Sequence, residues 1–223
     1  MVKRSGTVSN TNEQERILEA LREKIALHLL PPGSKLREKE LAAEHNVSRA
    51  RIRDAFHALE QRGLIERIPN RGAVVVRLDA DEVVQLYDIR EMLEALATRL
   101  AAQNSTPETW KKFIEMFGEP LDRSIEAEDF DSYMNALKLL NQAILRQANN
   151  RILADFLDHI SDRTQIYARR VILLPGRASV GIQLHRKLLD ALSKGQADEA
   201  ERIKREIISG AKSNLLRYKQ YIL

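Results

Sequence analysis

Ser48 is followed by Arg49, Arg51 and Arg53, three guanidinium groups within five residues. An arginine fork matches the O6 and N7 acceptors of guanine in a major groove, and each good pair discriminates against other bases by about 1–3 kcal/mol. Helical spacing divides the three. Positions 49 and 53 share a face, whereas position 51 is turned by about 200° from position 49. Arg49 and Arg53 are therefore the candidates for base edges, and Arg51 for a base or a phosphate at the rim. Ser48 is an N-cap candidate, and the helix start it opens suits a backbone phosphate. Lys39, in the preceding segment, is a further phosphate candidate. Asn70, Arg71 and Gly72 sit in a turn that can reach a phosphate or a minor groove. A solvated arginine face is the plain alternative. The helix dipole disfavours cations at an N-terminus, however, where an ordinary surface helix carries Asp or Glu.

The elements around these residues have a readable order. Ile17, Leu18, Leu21, Ile25, Leu29 and Leu30 recur at helical spacing, predicting a helix over Glu13 to Leu30. Pro31-Pro32-Gly33 ends it. A short helix follows from Arg37 to Glu44, then a tight turn at His45-Asn46-Val47. The helix opened by Ser48 runs to Arg62, with Ile52, Ala55, Phe56 and Leu59 inward and Gly63 as the residue just past its end. Two short helices joined by a tight turn form a helix-turn-helix. Leu64 to Ile68 and Ala73 to Val76 are β-prone runs flanking Pro69-Asn70-Arg71-Gly72, so a hairpin follows directly, as a wing.

Charge supports this division. Residues 1–78 hold 15 Lys+Arg against 10 Asp+Glu, and residues 79–223 hold 21 against 22, within a chain of net charge +4. A basic head and a near-neutral body point to a polyanion for the head and another task for the body. The absence of cysteine from all 223 residues removes disulfides, thiolate catalysis and Cys-ligated zinc. No apolar run approaches the roughly 18 residues that span a bilayer, and Met1 to Thr11 lacks the apolar core of a signal peptide. A cytoplasmic protein is expected. No Walker loop, dinucleotide fingerprint, nucleophile elbow or H-E-x-x-H is present, and the five histidines show no metal-ligand spacing. An enzyme is not expected.

Pro31-Pro32-Gly33-Ser34-Lys35-Leu36, Leu41-Ala42, Asn46 to Ala55, Gly63-Leu64-Ile65 and Pro69 to Val75 together resemble the GntR family of bacterial regulators. That resemblance implies a DNA-binding homodimer whose second domain senses a metabolite. The division is a winged helix-turn-helix over 1–78 and a helical domain over 79–223.

The second domain reads as an antiparallel bundle of about six helices, making the fold mainly α. Asp79 and Glu82 resemble a capping box. The helix they open runs to about Gln103 on a stripe of Val83, Leu86, Ile89 or Arg90, Leu93, Leu96, Ala97 and Leu100. Ser105-Thr106-Pro107 caps a helix holding Trp110, Phe113, Ile114 and Phe117, which Gly118 and Pro120 break or kink. Those aromatics read as core or dimer surface rather than a ligand box. Further helices run from Phe130 to Gln147, Asn150 to Leu174, Ala178 to Ser193 and Gln196 to Tyr221, with Pro175-Gly176 among the punctuation.

Asp88 to Glu94, Leu100 to Ala102, Ala148 to Asn150, Leu184 to Leu192 and Gly195 to Ala200 resemble the FCD domain of the FadR branch, in its shorter VanR-like form. That domain commonly holds a divalent metal through Asp-x-x-x-His and two further histidines. The resemblance places these positions at Leu137, Asn141, His185 and Ile207, of which only His185 is a good ligand. A shifted register of the last helix brings Glu206 in instead. The expectation is no metal and no cofactor. The resemblance turns Arg90 toward the cavity, where it can fork onto an effector carboxylate or pair with a bundle acid such as Glu94. Asn141 and His185 would orient the effector, and Leu137 and Ile207 favour one with an apolar portion. His185 also reads as an ordinary core histidine. The expected partners are operator DNA, a second copy of the chain and a small carboxylate effector, with no membrane. Repression is the default, with effector binding shifting the placement of the heads. The competing reading is a DNA-binding regulator whose bundle only dimerises or docks partners.

Overall fold

Ile17, Leu21 and Ile25 recur every four residues, and each is almost wholly buried. They form the inner face of α1 (Gly6–Ala26), which packs on α3 (Arg49–Gln61), whose Ile52, Ala55, Phe56 and Leu59 are buried. Each such side chain contributes about 1.5–3 kcal/mol by leaving water. The computed structural model describes residues 6–174 and 176–222, and the chain divides into two compact units, Met1–Leu78 and Asp79–Leu223. Residues 1–5 of the N-terminal stretch and Pro175 of the expected Pro-Gly punctuation lie outside the described residues.

The first helix stops four residues short of the expected Leu30. His28 takes φ +59°, and the Leu30 N–H donates to the Lys24 carbonyl at 3.1 Å. Pro31 disfavours helical geometry at the residue before it, so the chain leaves the helix early and Leu29 is exposed. Next, α2 (Glu38–His45) ends at Asn46, which caps it in left-handed geometry. Ser48 caps α3 by accepting from the Arg51 N–H at 3.3 Å.

Strands β1 (Ile65–Ile68) and β2 (Gly72–Val75) pair antiparallel from Ile65 with Val75 to Ile68 with Gly72. Asn70 (φ +62°) and Gly72 (φ +85°) allow the tight reversal at the wing tip. The segment after α1 does more than stop a helix. Leu36 donates to Ala73, Gly33 donates to Val75, and Val75 donates back to Ser34, at 2.8–3.0 Å. This segment covers the outer edge of β2.

The second unit contains α4 (Ala80–Asn104), α5 (Pro107–Met116), α6 (Glu119–Glu126), α7 (Phe130–Ala148), α8 (Arg151–Ile172), α9 (Arg177–Ser193), α10 (Ala197–Arg217) and α11 (Lys219–Ile222). The Asp79–Glu82 capping box is complete. Two helices exceed the expected six. Gly118 and Pro120 open α6 instead of only breaking α5, because proline is tolerated in a first turn. The last helix stops at Tyr218, and α11 is separate. Thr106 makes no side-chain cap. Ser105 has the structural role instead, donating to the Ala101 carbonyl at 2.6 Å and accepting from the Trp110 indole at 2.9 Å.

Helix α4 packs along α10, α7 and α8, and α9 packs on α5 and α10. The buried seam of α4 is Val83, Tyr87, Ala95, Ala97, Thr98, Ala101 and Ala102. Ile89 and Leu96, expected in that seam, are exposed. Small alanines permit close approach of the neighbouring helices there, while Ile89 and Leu96 lie outside the seam. Trp110, Phe113 and Phe117 are core residues, each at most 2% exposed. Among the described residues, no helix is long and apolar enough to cross a membrane.

Candidate functional site

In the first unit, the N-terminal turns of α3 present Arg49 and Arg53, whose side chains are 65% and 56% exposed. No acid stands in the first turn of α3. Both guanidinium groups gather on Glu38 of α2, Arg49 Nη2 at 3.3 Å and Arg53 Nε at 3.8 Å from the same carboxylate oxygen. Exposed pairs of this kind contribute about 0–1 kcal/mol, so a phosphate or base edge can displace them at little cost. Arg51 points elsewhere, toward Glu13 of α1 at 3.8 Å. That placement follows from its angular position on the helix. Ser48 and Lys39 are exposed. At the wing tip Asn70, Arg71 and Gly72 are exposed, and Arg71 donates to the Gly33 carbonyl at 3.1 Å.

In the second unit, a cavity of about 100 Å³ brings together all five residues singled out by resemblance, Arg90, Leu137, Asn141, His185 and Ile207. Its polar centre is a shared carboxylate. Glu94 accepts from Arg90 Nε at 2.5 Å and pairs with Lys204 Nζ at 2.9 Å. Lys204 also donates to Asn141 Oδ1 at 3.0 Å, and Arg90 lies over the Tyr87 ring, 5.1 Å from its centroid. Burial alone would raise the Glu94 carboxyl, but Arg90 and Lys204 outweigh it and bring it down to about 2. Burial opposes the Arg90 charge as well, yet Glu94 and Tyr87 hold that guanidinium above its ordinary value.

His185 Nδ1 lies 2.7 Å from the Gly181 carbonyl. A carbonyl only accepts, so Nδ1 carries the hydrogen and Nε2 is left as an acceptor. Burial, reinforced by the Lys204 charge, pulls His185 down to about 3, so the ring is neutral. It packs on Phe117, with centroids 5.6 Å apart, and edge-on against Tyr133. Gly181 makes room for Tyr133, since a Cβ there would lie 2.5 Å from the phenol oxygen. Burial raises the Tyr133 hydroxyl and keeps its proton on. Arg177, also in the lining, donates to the Ile207 carbonyl at 3.3 Å.

These donors do not fit a divalent cation. Three or four N, O or S ligands are needed, but Leu137 and Ile207 are apolar and the Asn141 oxygen is engaged by an ammonium. Glu206 is exposed and pairs with Arg202 at 3.3 Å, so the shifted register of the last helix does not occur. Among the described residues no cluster of three or more His, Asp or Glu is arranged to hold a metal.

Lys204 is the cavity residue that sequence reasoning missed. The available signal was its place among Ala200, Ile203, Ile207 and Ile208, all buried on α10. Tyr133 and Arg177 were missed too, and neither is marked by its neighbours.

Residues 85–210 match the family model described as "FCD domain", and residues 13–75 match that described as "Bacterial regulatory proteins, gntR family". The HTH-type transcriptional repressor RspR of Escherichia coli K12 is 27% identical over 191 residues, 84% of this chain and 82% of that protein. The gluconate operon transcriptional repressor of Bacillus subtilis 168 is 31% identical over 142 residues, 62% of this chain and 56% of that protein. The solved structure "E. coli McbR/YncC" is similar in fold, with a TM-score of 0.81 at 22% identity over 99% of this chain and 100% of that one.

Proposed function

The chain belongs to the FCD-domain, GntR-type transcriptional regulators, and from that premise we propose that it represses transcription by holding operator DNA, with a small carboxylate in the bundle cavity setting how tightly it holds. The observation that carries this reading is the contrast in cation placement on one chain. Arg49 and Arg53 lie open at the start of α3, whereas Arg90 and Lys204 are enclosed around one carboxylate in a cavity. The relatives RspR and the gluconate repressor support repression as the direction of control.

Arg49 and Arg53 read base edges in the major groove, and Arg51, drawn toward Glu13 on another side of α3, reaches at most a phosphate at the rim. Ser48, Lys39 and the wing tip of Asn70, Arg71 and Gly72 hold phosphates or the minor groove. A homodimer in the cytoplasm presents two α3 helices to two half-sites. Ile89, Met92 and Leu96, exposed at i, i+3 and i+7 on α4, support self-association. The effector binds without a metal. Arg90, Asn141 and His185 orient its polar groups, and Leu137 and Ile207 meet its apolar portion. It changes operator affinity only by the difference in its own affinity for the DNA-competent and DNA-incompetent forms.

The test is fluorescence anisotropy of the full chain on duplex fragments flanking its own coding region, at two salt concentrations. Salt-sensitive binding is expected, with Arg49→Ala weakening the operator more than random DNA. No salt-sensitive binding to any such duplex overturns the proposal. Equal weakening on both DNAs removes the base-reading role and leaves only phosphate contact.

A further inference from the structure

Resting on the effector reading above, we infer that Lys204 is the resident cation of the cavity, taking the place of a divalent ion and binding an effector carboxylate oxygen directly through its ammonium. Lysine is almost never fully buried unless paired, and Lys204 is 3% exposed. Its ammonium has three hydrogens. Two acceptors face it among the described residues, Glu94 Oε2 and Asn141 Oδ1, which leaves one hydrogen for a ligand. Asn141 is also where the FCD resemblance puts a metal ligand, and here its oxygen is turned onto the lysine.

The described charges around the cavity favour an anion. Among the described residues its titratable lining is Tyr87, Arg90 and Glu94 from α4, Tyr133 from α7, Arg177 and His185 from α9, and Lys204 from α10, with Val171 and Ile172 from α8. Among the described lining residues Arg90, Arg177 and Lys204 are cations, Glu94 is the one carboxylate, and Tyr133 and His185 are neutral. Glu94 is shared by two of the cations, so among these residues a surplus of positive charge remains, with Arg177 half-buried at its edge. Enclosed charge is costly until paired, and one or two ligand carboxylates supply the pairing. The cavity, about 100 Å³ in volume, admits a small acid. The acceptor Nε2 of His185 adds a preference for a hydroxyl on that acid.

Calorimetry separates the cation's role from a metal's. The probes are acetate, lactate and succinate, with lactamide as the uncharged control, titrated by calorimetry into the full chain in EDTA and then with manganese chloride. At least one acid is expected to bind the wild type equally in both conditions, and lactamide is expected not to bind. Lys204→Met should weaken that acid by about 10- to 100-fold, the loss of one charge-assisted hydrogen bond, and Lys204→Arg should recover part of it. An acid that binds Lys204→Met as tightly as wild type overturns the role of Lys204 and leaves the effector reading standing. Binding abolished by EDTA and restored by manganese overturns it as well. Failure of every acid to bind the wild type overturns both readings. Should Lys204→Met fail to fold, wild-type affinity in Lys204→Arg counts against the proposal, because a guanidinium cannot reproduce the ammonium geometry.

Discussion

The two units hold their arginines and lysines in opposite ways. On α3, Arg49 and Arg53 are open to water and lean on Glu38 at 3.3 and 3.8 Å. In the bundle, Arg90 and Lys204 are withdrawn from water and fixed on Glu94 at 2.5 and 2.9 Å. Similar chemistry therefore has different stakes. An exposed pair contributes little to stability and can exchange partners. Removing one member of an enclosed pair leaves a charge with nowhere to go. The first arrangement suits a large polyanion that arrives from solution. The second suits a small anion that completes an unfinished charge balance.

The largest effect should come from taking away the shared acid. Glu94→Gln is expected to destabilise the bundle by about 3–5 kcal/mol, because two enclosed cations lose their carboxylate. Chemical denaturation monitors it, and a change below about 1 kcal/mol would mean that water already reaches the pair. By contrast, Arg49→Ala should leave stability almost unchanged and reduce operator-over-random discrimination by about 1–3 kcal/mol, read by competition binding. A large stability loss in Arg49→Ala would erase the distinction between the two regions.

Protonation sharpens the comparison further. His185 titrates near 6.5 in the unfolded chain and is pulled down to about 3 in the fold by burial and then Lys204. Below pH 6.5 the unfolded chain takes up a proton that the fold refuses, so stability falls as pH falls. The slope approaches about 1.4 kcal/mol per pH unit, or about 2 kcal/mol between pH 6.5 and 5. Glu94 acts in the same direction lower down, since its folded value near 2 lies below the unfolded 4.5. Urea midpoints across this range should flatten in His185→Gln above pH 5, and an unchanged profile would assign the slope to other groups. The smallest effect is expected at Ser48→Ala, about 0.5–1 kcal/mol for one helix cap, measured by thermal unfolding.

The head was legible because its signals are local. Ser48 and Gly63 mark the ends of α3 within one segment, and Pro69 to Gly72 mark the wing. The five cavity positions were legible only through resemblance to a family, which carried the register of four helices at once. Lys204 was not, because its partners Asn141 and Glu94 lie 63 and 110 residues away in sequence. On its own helix it reads as one more charge beside Arg202, Arg205 and Glu206, and only packing separates it from them. The exposure of Ile89 and Leu96 escaped for a related reason. A wide apolar stripe shows that a helix has an inner face, but the neighbouring helices decide how much of the stripe they cover.

Trp110 is the sole tryptophan of the chain, sealed in the bundle with its indole N–H held by Ser105. Intrinsic fluorescence is thus a built-in optical reporter for the second unit, blind to melting of the winged head. Paired with circular dichroism, which senses both, it separates two unfolding events without attaching any dye.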